Sequence, residues 1–263
     1  MPCQAGRRRL LSDTHAHLDS SEFEADREAA MSRACEAGIE RILAVGSDLQ
    51  SSQASIELAR RYPSIFAAIG IHPHYAEQFE LHAKAIRALI EEGKVVAIGE
   101  IGLDYRGDHP SAQQQCLAFH AQLAWAAEMD MPVSIHNRNA DDDVLAAIQT
   151  YGVTAILHCF SGSPAFAARA LELGCYISFA GNLTFPRAGE LRQVAASIPA
   201  DRLLVETDAP VLAPQPWRGR RNEPAYIVAT VDTLIEVRGE DPPPLLAQLA
   251  ANADTVFGPM SSQ

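Results

Sequence analysis

Eight short apolar runs recur along this chain, and each is followed by an amphipathic stretch with helical spacing. The runs cover residues 10–14, 41–46, 65–71, 95–101, 132–136, 154–159, 174–180 and 202–207. The stretches at 22–37, 51–61, 78–92, 113–129, 140–150, 164–173, 188–197 and 224–238 are rich in Ala, Glu, Arg and Leu. Strands joined through crossover helices run parallel. Eight such units predict an α/β fold, and a closed (βα)₈ TIM barrel more than an open sheet. The length of 263 residues is typical of one such barrel. Apolar residues make up 48% of the chain but aromatics only 6%, so Ala, Leu, Ile and Val must fill the core. The one proline cluster, Asp241-Pro242-Pro243-Pro244, is followed only by a short tail containing Leu245-Leu246-Ala247-Gln248-Leu249. That tail reads as a last short helix packed on the barrel. The expected organisation is a single domain over 10–258, with 1–9 and 259–263 as flexible termini.

Six histidines and carboxylates stand just after or at the end of apolar runs. They are His15 and His17 after the first run, Glu100 on the fourth, His136 on the fifth, His158 on the sixth and Asp208 after the eighth. A barrel gathers the C-terminal ends of its strands at one mouth, so residues far apart in sequence can form one centre. His15 and His17, two apart on a strand, face the same side; the bland alternative is a pair of satisfied core histidines. Glu100 lies in Val95-Val96-Ala97-Ile98-Gly99-Glu100-Ile101-Gly102-Leu103-Asp104. A carboxylate buried there must be neutral or paired with a cation. Its two oxygens can bridge two metals, or it can pair with Arg138. His136 and His158, in register with Glu100, suggest a second cation. Asp208 can ligate and take a proton from metal-activated water, or simply cap a helix. Asp104 can orient a ligand histidine or cap a helix, and Glu206 reads as a structural partner.

Around this set, His72 is a candidate to bind substrate or stabilise developing charge, with His74 at the rim. Arg138 offers a forked phosphate contact. Arg220 and Arg221, in Arg218-Gly219-Arg220-Arg221, can reach phosphates if the loop after the eighth strand lies at the mouth; a solvated loop is the alternative. Trp217 and Tyr105 can stack on a base or merely pack. Cys159 should alternate to the other face of its strand, as a packing residue.

The formal net charge of −12 argues against a dedicated nucleic-acid-binding module, although not against a local basic patch on a metal enzyme. Five cysteines without a CxxC pair suggest reduced thiols. After Arg7-Arg8-Arg9 only Leu10-Leu11 precedes Ser12-Asp13, too short for a signal peptide. No apolar run approaches the roughly 20 residues of a membrane span. A cytoplasmic location without a membrane or an obligate protein partner is the expectation. No GxGxxG, GKS/T, GxSxG or HExxH sequence occurs, which removes the main support for nucleotide-cofactor, P-loop and serine-hydrolase chemistry.

The motifs together resemble the TatD family of metal-dependent deoxyribonucleases, within the amidohydrolase-like barrels. The blocks, in order, are Asp13-Thr14-His15-Ala16-His17-Leu18, Gly70-Ile71-His72-Pro73-His74, Gly99-Glu100-Ile101-Gly102-Leu103-Asp104-Tyr105, His136-Asn137-Arg138, His158-Cys159-Phe160-Ser161-Gly162, Glu206-Thr207-Asp208-Ala209-Pro210 and Arg220-Arg221-Asn222-Glu223-Pro224. The resemblance implies that His15, His17, Glu100 and Asp208 hold one divalent ion, and Glu100, His136 and His158 a second. It implies Mg²⁺, Mn²⁺ or Zn²⁺ as cofactor. It also implies 3′–5′ exonuclease activity on DNA, single-stranded DNA included, with Asp208, Glu100 and His72 as catalytic residues. Asp141-Asp142-Asp143 is more acidic than the resemblance leads one to expect and would weaken DNA contact there. The alternatives are a hydrolase of a carbonyl ester, lactone or amide, aminoacyl-tRNA esters included, and a scaffold barrel without chemistry.

Overall fold

In the computed structural model, which describes residues 11–107 and 110–258, eight strands form one sheet in sequential order. They are β1 Leu11–Ala16, β2 Ile39–Val45, β3 Ile65–Ile69, β4 Val95–Asp104, β5 Val133–Arg138, β6 Ala155–Leu157, β7 Tyr176–Phe179 and β8 Leu203–Val205. Every neighbouring pair is parallel. The ring closes beyond the end of β8. Ala209 bridges to Ala16, the Asp208 N–H donates to the His15 carbonyl at 2.9 Å, and the His17 N–H donates to the Ala209 carbonyl at 2.7 Å. The expected flexible termini, 1–9 and 259–263, lie outside the described residues.

The helices are α1 Arg27–Glu36, α2 Leu49–Arg61, α3 Phe79–Leu89, α4 Ala112–Met129, α5 Asp141–Tyr151, α6 Pro164–Glu172, α7 Gly189–Ser197, α8 Ile227–Arg238 and α9 Pro242–Phe257. Several start on the side-chain caps their sequences carry. Asp48 and Ser51 form a reciprocal capping box on α2, as do Ser111 and Gln114 on α4, which satisfies N–H groups the helix itself leaves open. Two expected helices begin later than their periodicity suggests, because Ser21–Phe23 and Pro224–Tyr226 form single 3₁₀ turns first. The last helix is longer than expected. Pro242 and its neighbours sit in its first turn, where a missing N–H costs nothing.

Alternate residues of the strands face outwards and inwards. Leu43, Val45, Phe66, Ala68, Ala97, Ile156, Tyr176 and Leu204 form one apolar cluster with Ala253, Val256 and Phe257 of α9. The alternating neighbours, among them Ile42, Ala44, Ile65, Ala67, Ile98 and Ile177, join the larger cluster beneath the outer helices. Asn252 of α9 donates to the carbonyls of Ala200 and Leu203 at the start of β8. α9 therefore plugs the N-terminal end of the barrel, and the opposite end is left for polar groups.

Two strands end earlier than their apolar runs. β6 stops at Leu157 and β8 at Val205, and Cys159 and Asp208 just beyond them have φ of 43° and 57°. Left-handed backbone at non-glycine residues is uncommon and concentrates at functional sites. Cys35 is disulfide-bonded, contrary to the expectation of reduced thiols throughout; its partner lies outside the described residues. Cys116, Cys159 and Cys175 are free.

Candidate metal centre

Two irregularities in strand pairing lift ligands into the mouth. Between β1 and β2, Asp13 pairs with Ile42 and Ala16 with Ala44, so three steps oppose two. Between β4 and β5, Ile98 pairs with Val133 and Ile101 with Ile135. Each is a bulge, which re-aims side chains where a regular strand would alternate. The first carries His15 and the second Glu100. Glu100 thus lies within β4 rather than at its end, and still reaches the centre. Gly102 makes the close approach of β4 to β5 possible. Its φ is +148°, and a Cβ there would sit 1.9 Å from the His136 carbonyl oxygen.

The six expected ligands converge. His15 Nε2 and His17 Nε2 are 3.4 Å apart and lie 3.4 and 3.5 Å from Glu100 Oε2. Asp208 Oδ1 is 4.0 Å from the first and 3.6 Å from the second. The other oxygen, Glu100 Oε1, lies 2.9 Å from His136 Nδ1 and 2.7 Å from His158 Nε2. One carboxylate is therefore shared between two groups of donors, His15–His17–Asp208 and His136–His158, both close enough to enclose an ion. A tetrahedral ion with bonds of about 2.1 Å separates its ligands by roughly 3.4 Å, which these spacings match.

The ring nitrogen of each ligand histidine that points away from the centre is hydrogen-bonded. His15 Nδ1 meets Ser134 Oγ at 3.1 Å, and His17 Nδ1 donates to the Val45 carbonyl at 3.0 Å. His136 Nε2 donates to Asp104 Oδ2 at 3.2 Å, and His158 Nδ1 to Glu206 Oε1 at 3.2 Å. Such anchors fix the tautomer and aim the inner nitrogen's lone pair at a cation. Of the two readings of Asp104, orientation of a histidine is the one the geometry matches; Ser111 caps the helix that follows. Asp13 locks the segment before Asp208 by accepting from the Thr207 N–H and hydroxyl at 2.9 and 2.5 Å.

The electrostatics suit a cation. Burial and the neighbouring His158 pull His15 down to about 4. At His17 burial opposes protonation, but the hydrogen bond and charge of Glu100, aided by Asp208, raise it to about 9. His158 is likewise held well above its ordinary value by Glu100 and Glu206 against burial. Burial would raise Glu100, yet His158, His72, His136 and His15 hold it well below the usual carboxylate range. Burial pushes Asp208 up to about 6. The carboxylates thus impose a negative potential on a buried cluster, and a divalent ion answers the same potential.

His72 also reaches the centre, with Nε2 3.3 Å from Glu100 Oε1. Its Nδ1 accepts from the His74 N–H, which leaves the proton on Nε2, and burial lowers its pKa to about 4. His72 is therefore a neutral donor at the mouth. His74 stands 2.9 Å from Asp104. Arg138 lines the cavity over the centre, which encloses about 1300 Å³ and also takes in Tyr75 and Arg106. Arg138 is exposed and makes no ion pair with Glu100.

The remaining expected contacts fall elsewhere. The Arg221 guanidinium binds Asp26 through both Nη atoms at 2.5 and 2.9 Å, lies 3.5 Å from Glu223, and covers the Phe23 ring. It is a structural clamp turned away from the cavity. Arg220 is exposed and does not line it. Trp217 stacks on Tyr226 at 4.1 Å, and the Tyr105 hydroxyl donates to Asp143; neither lines the cavity. Cys159 does line it, contrary to the alternation argument, because the left-handed turn at this residue breaks the strand. Its thiol is raised well above the ordinary value by burial and by Asp208, so it is not a nucleophile. Tyr75, Arg106 and Asn182 are at the mouth without having been singled out by the motifs. They sit in loops, where no periodicity marks them.

Known proteins bear on this geometry directly. The family model described as "TatD related DNase" matches residues 12–258. The 3′-5′ ssDNA/RNA exonuclease TatD of Salmonella typhimurium is 40% identical over 256 residues, covering 94% of this chain and 98% of its own. An uncharacterized metal-dependent hydrolase of Bacillus subtilis, YabD, is 40% identical over 87% of this chain and 91% of its own. Among solved structures, the TatD homolog YjjV of Escherichia coli superposes with a TM-score of 0.87 at 33% identity, covering 94% of this chain and 97% of that one.

Proposed function

The chain belongs to the family of TatD-related DNases, metal-dependent hydrolases with this barrel, and on that premise we propose that it cleaves phosphodiester bonds of DNA from the 3′ end, single strands included. Residues 10–258 act in this reading as one catalytic domain. The observation that carries it is the division of Glu100, with one oxygen on His15 and His17 and the other on His136 and His158. A carboxylate so shared fits two divalent ions, which are Mg²⁺, Mn²⁺ or Zn²⁺. Two neighbouring ions are the usual equipment for in-line displacement at phosphorus.

His15, His17, Glu100 and Asp208 would hold one ion, and Glu100, His136 and His158 the other. Bound ions supply Lewis acidity that activates water and offsets charge on the phosphate. The protein does the rest. Asp208, beside His15 and His17, accepts the proton of the attacking water. His72 donates its Nε2 proton to a phosphate oxygen. Arg138 grips the phosphodiester from the rim with paired N–H groups. Arg221, committed to Asp26, is given no part, and Arg220 stands outside the cavity. A carbonyl-ester substrate finds no comparable observation in its favour. A nucleic-acid substrate places the enzyme in the cytoplasm.

The test is release of nucleotide from a 3′-labelled single-stranded oligonucleotide with Mn²⁺ or Mg²⁺. Wild type should release label only with metal, and Glu100→Ala and Asp208→Ala should each lose at least about a hundredfold in rate. A wild-type protein that binds two ions and releases nothing would overturn the reading.

A further inference from the structure

A second cavity of about 690 Å³ adjoins the one over the metal centre and shares Ser161, Gly162, Ser163 and Asn182 with it. Its far side is built from Phe185, Arg187 and Arg218. This volume lies in the usual range of small-ligand sites, roughly 300–1,000 Å³. The shared wall consists of small residues, so the two cavities communicate over a low sill. Asn182 faces both, and its Oδ1 is buried with no hydrogen-bond partner, a free acceptor at the join. The Arg218 guanidinium stands 4.4 Å over the Phe185 ring, which makes a platform of an aromatic face and a cationic plane.

The arginines of this face share one property. Arg106, Arg138, Arg187, Arg218 and Arg220 have no carboxylate within ion-pair distance among the described residues. All five follow the C-terminal ends of β4, β5, β7 or β8 or stand at the end of β5. Other described arginines are committed, Arg33, Arg41, Arg60, Arg61 and Arg87 to carboxylates, for instance, and Arg192 to backbone carbonyls. In a chain of net charge −12, unpaired cations gathered at one end mark where an anion is met. Arg106 and Arg138 line the first cavity, and Arg187 and Arg218 the second. A single phosphate group needs only the first pair.

We propose that the second cavity is a nucleotide subsite. It takes the nucleotide next to the scissile phosphate on the same single strand, with the base against Phe185 and Arg218 and the adjoining phosphate on Arg187. Recognition by stacking and charge is tolerant of base identity, so the subsite measures strand length rather than sequence. This inference rests on the nuclease reading above.

The test compares hydrolysis of a thymidine dinucleotide and of (dT)₆ in Mn²⁺ by wild type, Arg187→Gln/Arg218→Gln and Phe185→Leu. Arg60→Gln/Arg61→Gln, on the remote face of α2, controls for the same change in net charge. The arginine double variant should raise KM for (dT)₆ roughly tenfold with kcat nearly kept, and reduce the preference for (dT)₆ over the dinucleotide. It should also flatten the salt dependence of (dT)₆ use by about 1.4 in log–log slope, for two lost single-strand contacts. Phe185→Leu should raise KM without changing that slope. A double variant matching wild type or matching the Arg60/Arg61 control would overturn the subsite while leaving nuclease activity intact. A wild type inactive on both DNAs would overturn the nuclease reading and the subsite with it.

Discussion

Single atoms decide whether the centre can form. Glu100 works because its two oxygens are presented to different histidines, and that presentation depends on Gly102. Alanine at position 102 would meet the His136 carbonyl, which is backbone and cannot swing aside, at a φ of +148°. Gly102→Ala should cost roughly 3 kcal/mol or more, read as a shift in the urea midpoint, and should weaken metal retention together with stability. Asp104 acts one step further out, through the ring of His136. Asp104→Asn removes the carboxylate that receives the His136 Nε2 proton. Metal affinity should then fall roughly 10- to 100-fold in a chelator competition, and an unchanged affinity would show that Glu100 alone suffices to aim the ring.

At the level of elements, the loop after β8 is held by a network, and α1 is its other half. Arg33 binds Glu223 through Nε and Nη2 at 2.7 and 2.6 Å, and Asp26 receives both Arg33 and Arg221. Asn222 completes the clamp by donating to the carbonyls of Thr207 and Val211, on either side of Asp208. Arg221 and Arg33 hold the Asp26 carboxyl below the usual carboxylate range. A folded-state value depressed below the unfolded one of about 3.9 means stability that is present above that pH and lost as pH falls through the folded value. Asp26→Asn should therefore be less stable than wild type near pH 7, and the gap should shrink as pH falls below about 4. Urea midpoints measured from pH 3 to 7 would show this, and a constant gap would rule out the ion pairs as its source.

For the whole molecule, the barrel divides its labour between two ends. α9 fills the N-terminal end with Ala253, Val256 and Phe257, and the C-terminal end carries the ligands. Phe257→Ala should cost about 3–5 kcal/mol by emptying the plug, with metal stoichiometry unchanged in the folded protein, as measured by elemental analysis after denaturation curves are taken. Saturating metal should stabilise every variant that keeps the ligands, by about 2.7 kcal/mol at a hundredfold excess over Kd, whereas Glu100→Ala should lose most of that gain. The alternation of apolar runs and amphipathic stretches was enough to read eight parallel strands, because period and length are local properties of the chain. The six donors His15, His17, Glu100, His136, His158 and Asp208 were legible for the same reason: each lies on or just past an apolar run, and a barrel has only one mouth. Their partners were less so. That Arg221 faces Asp26 rather than a phosphate, that Cys159 turns into the cavity, and that Phe185, Arg187 and Arg218 build a second cavity beside the first depend on how loops fold back over the barrel. Those paths follow from left-handed turns, bulges and contacts between residues up to some two hundred positions apart, such as Asp13 with Thr207. The sequence by itself determined the barrel and the chemical character of its mouth, through local periodicity and residue type. Only the tertiary structure decided which arginines were left free to meet a substrate, since a cation's availability depends on which carboxylates the fold brings beside it.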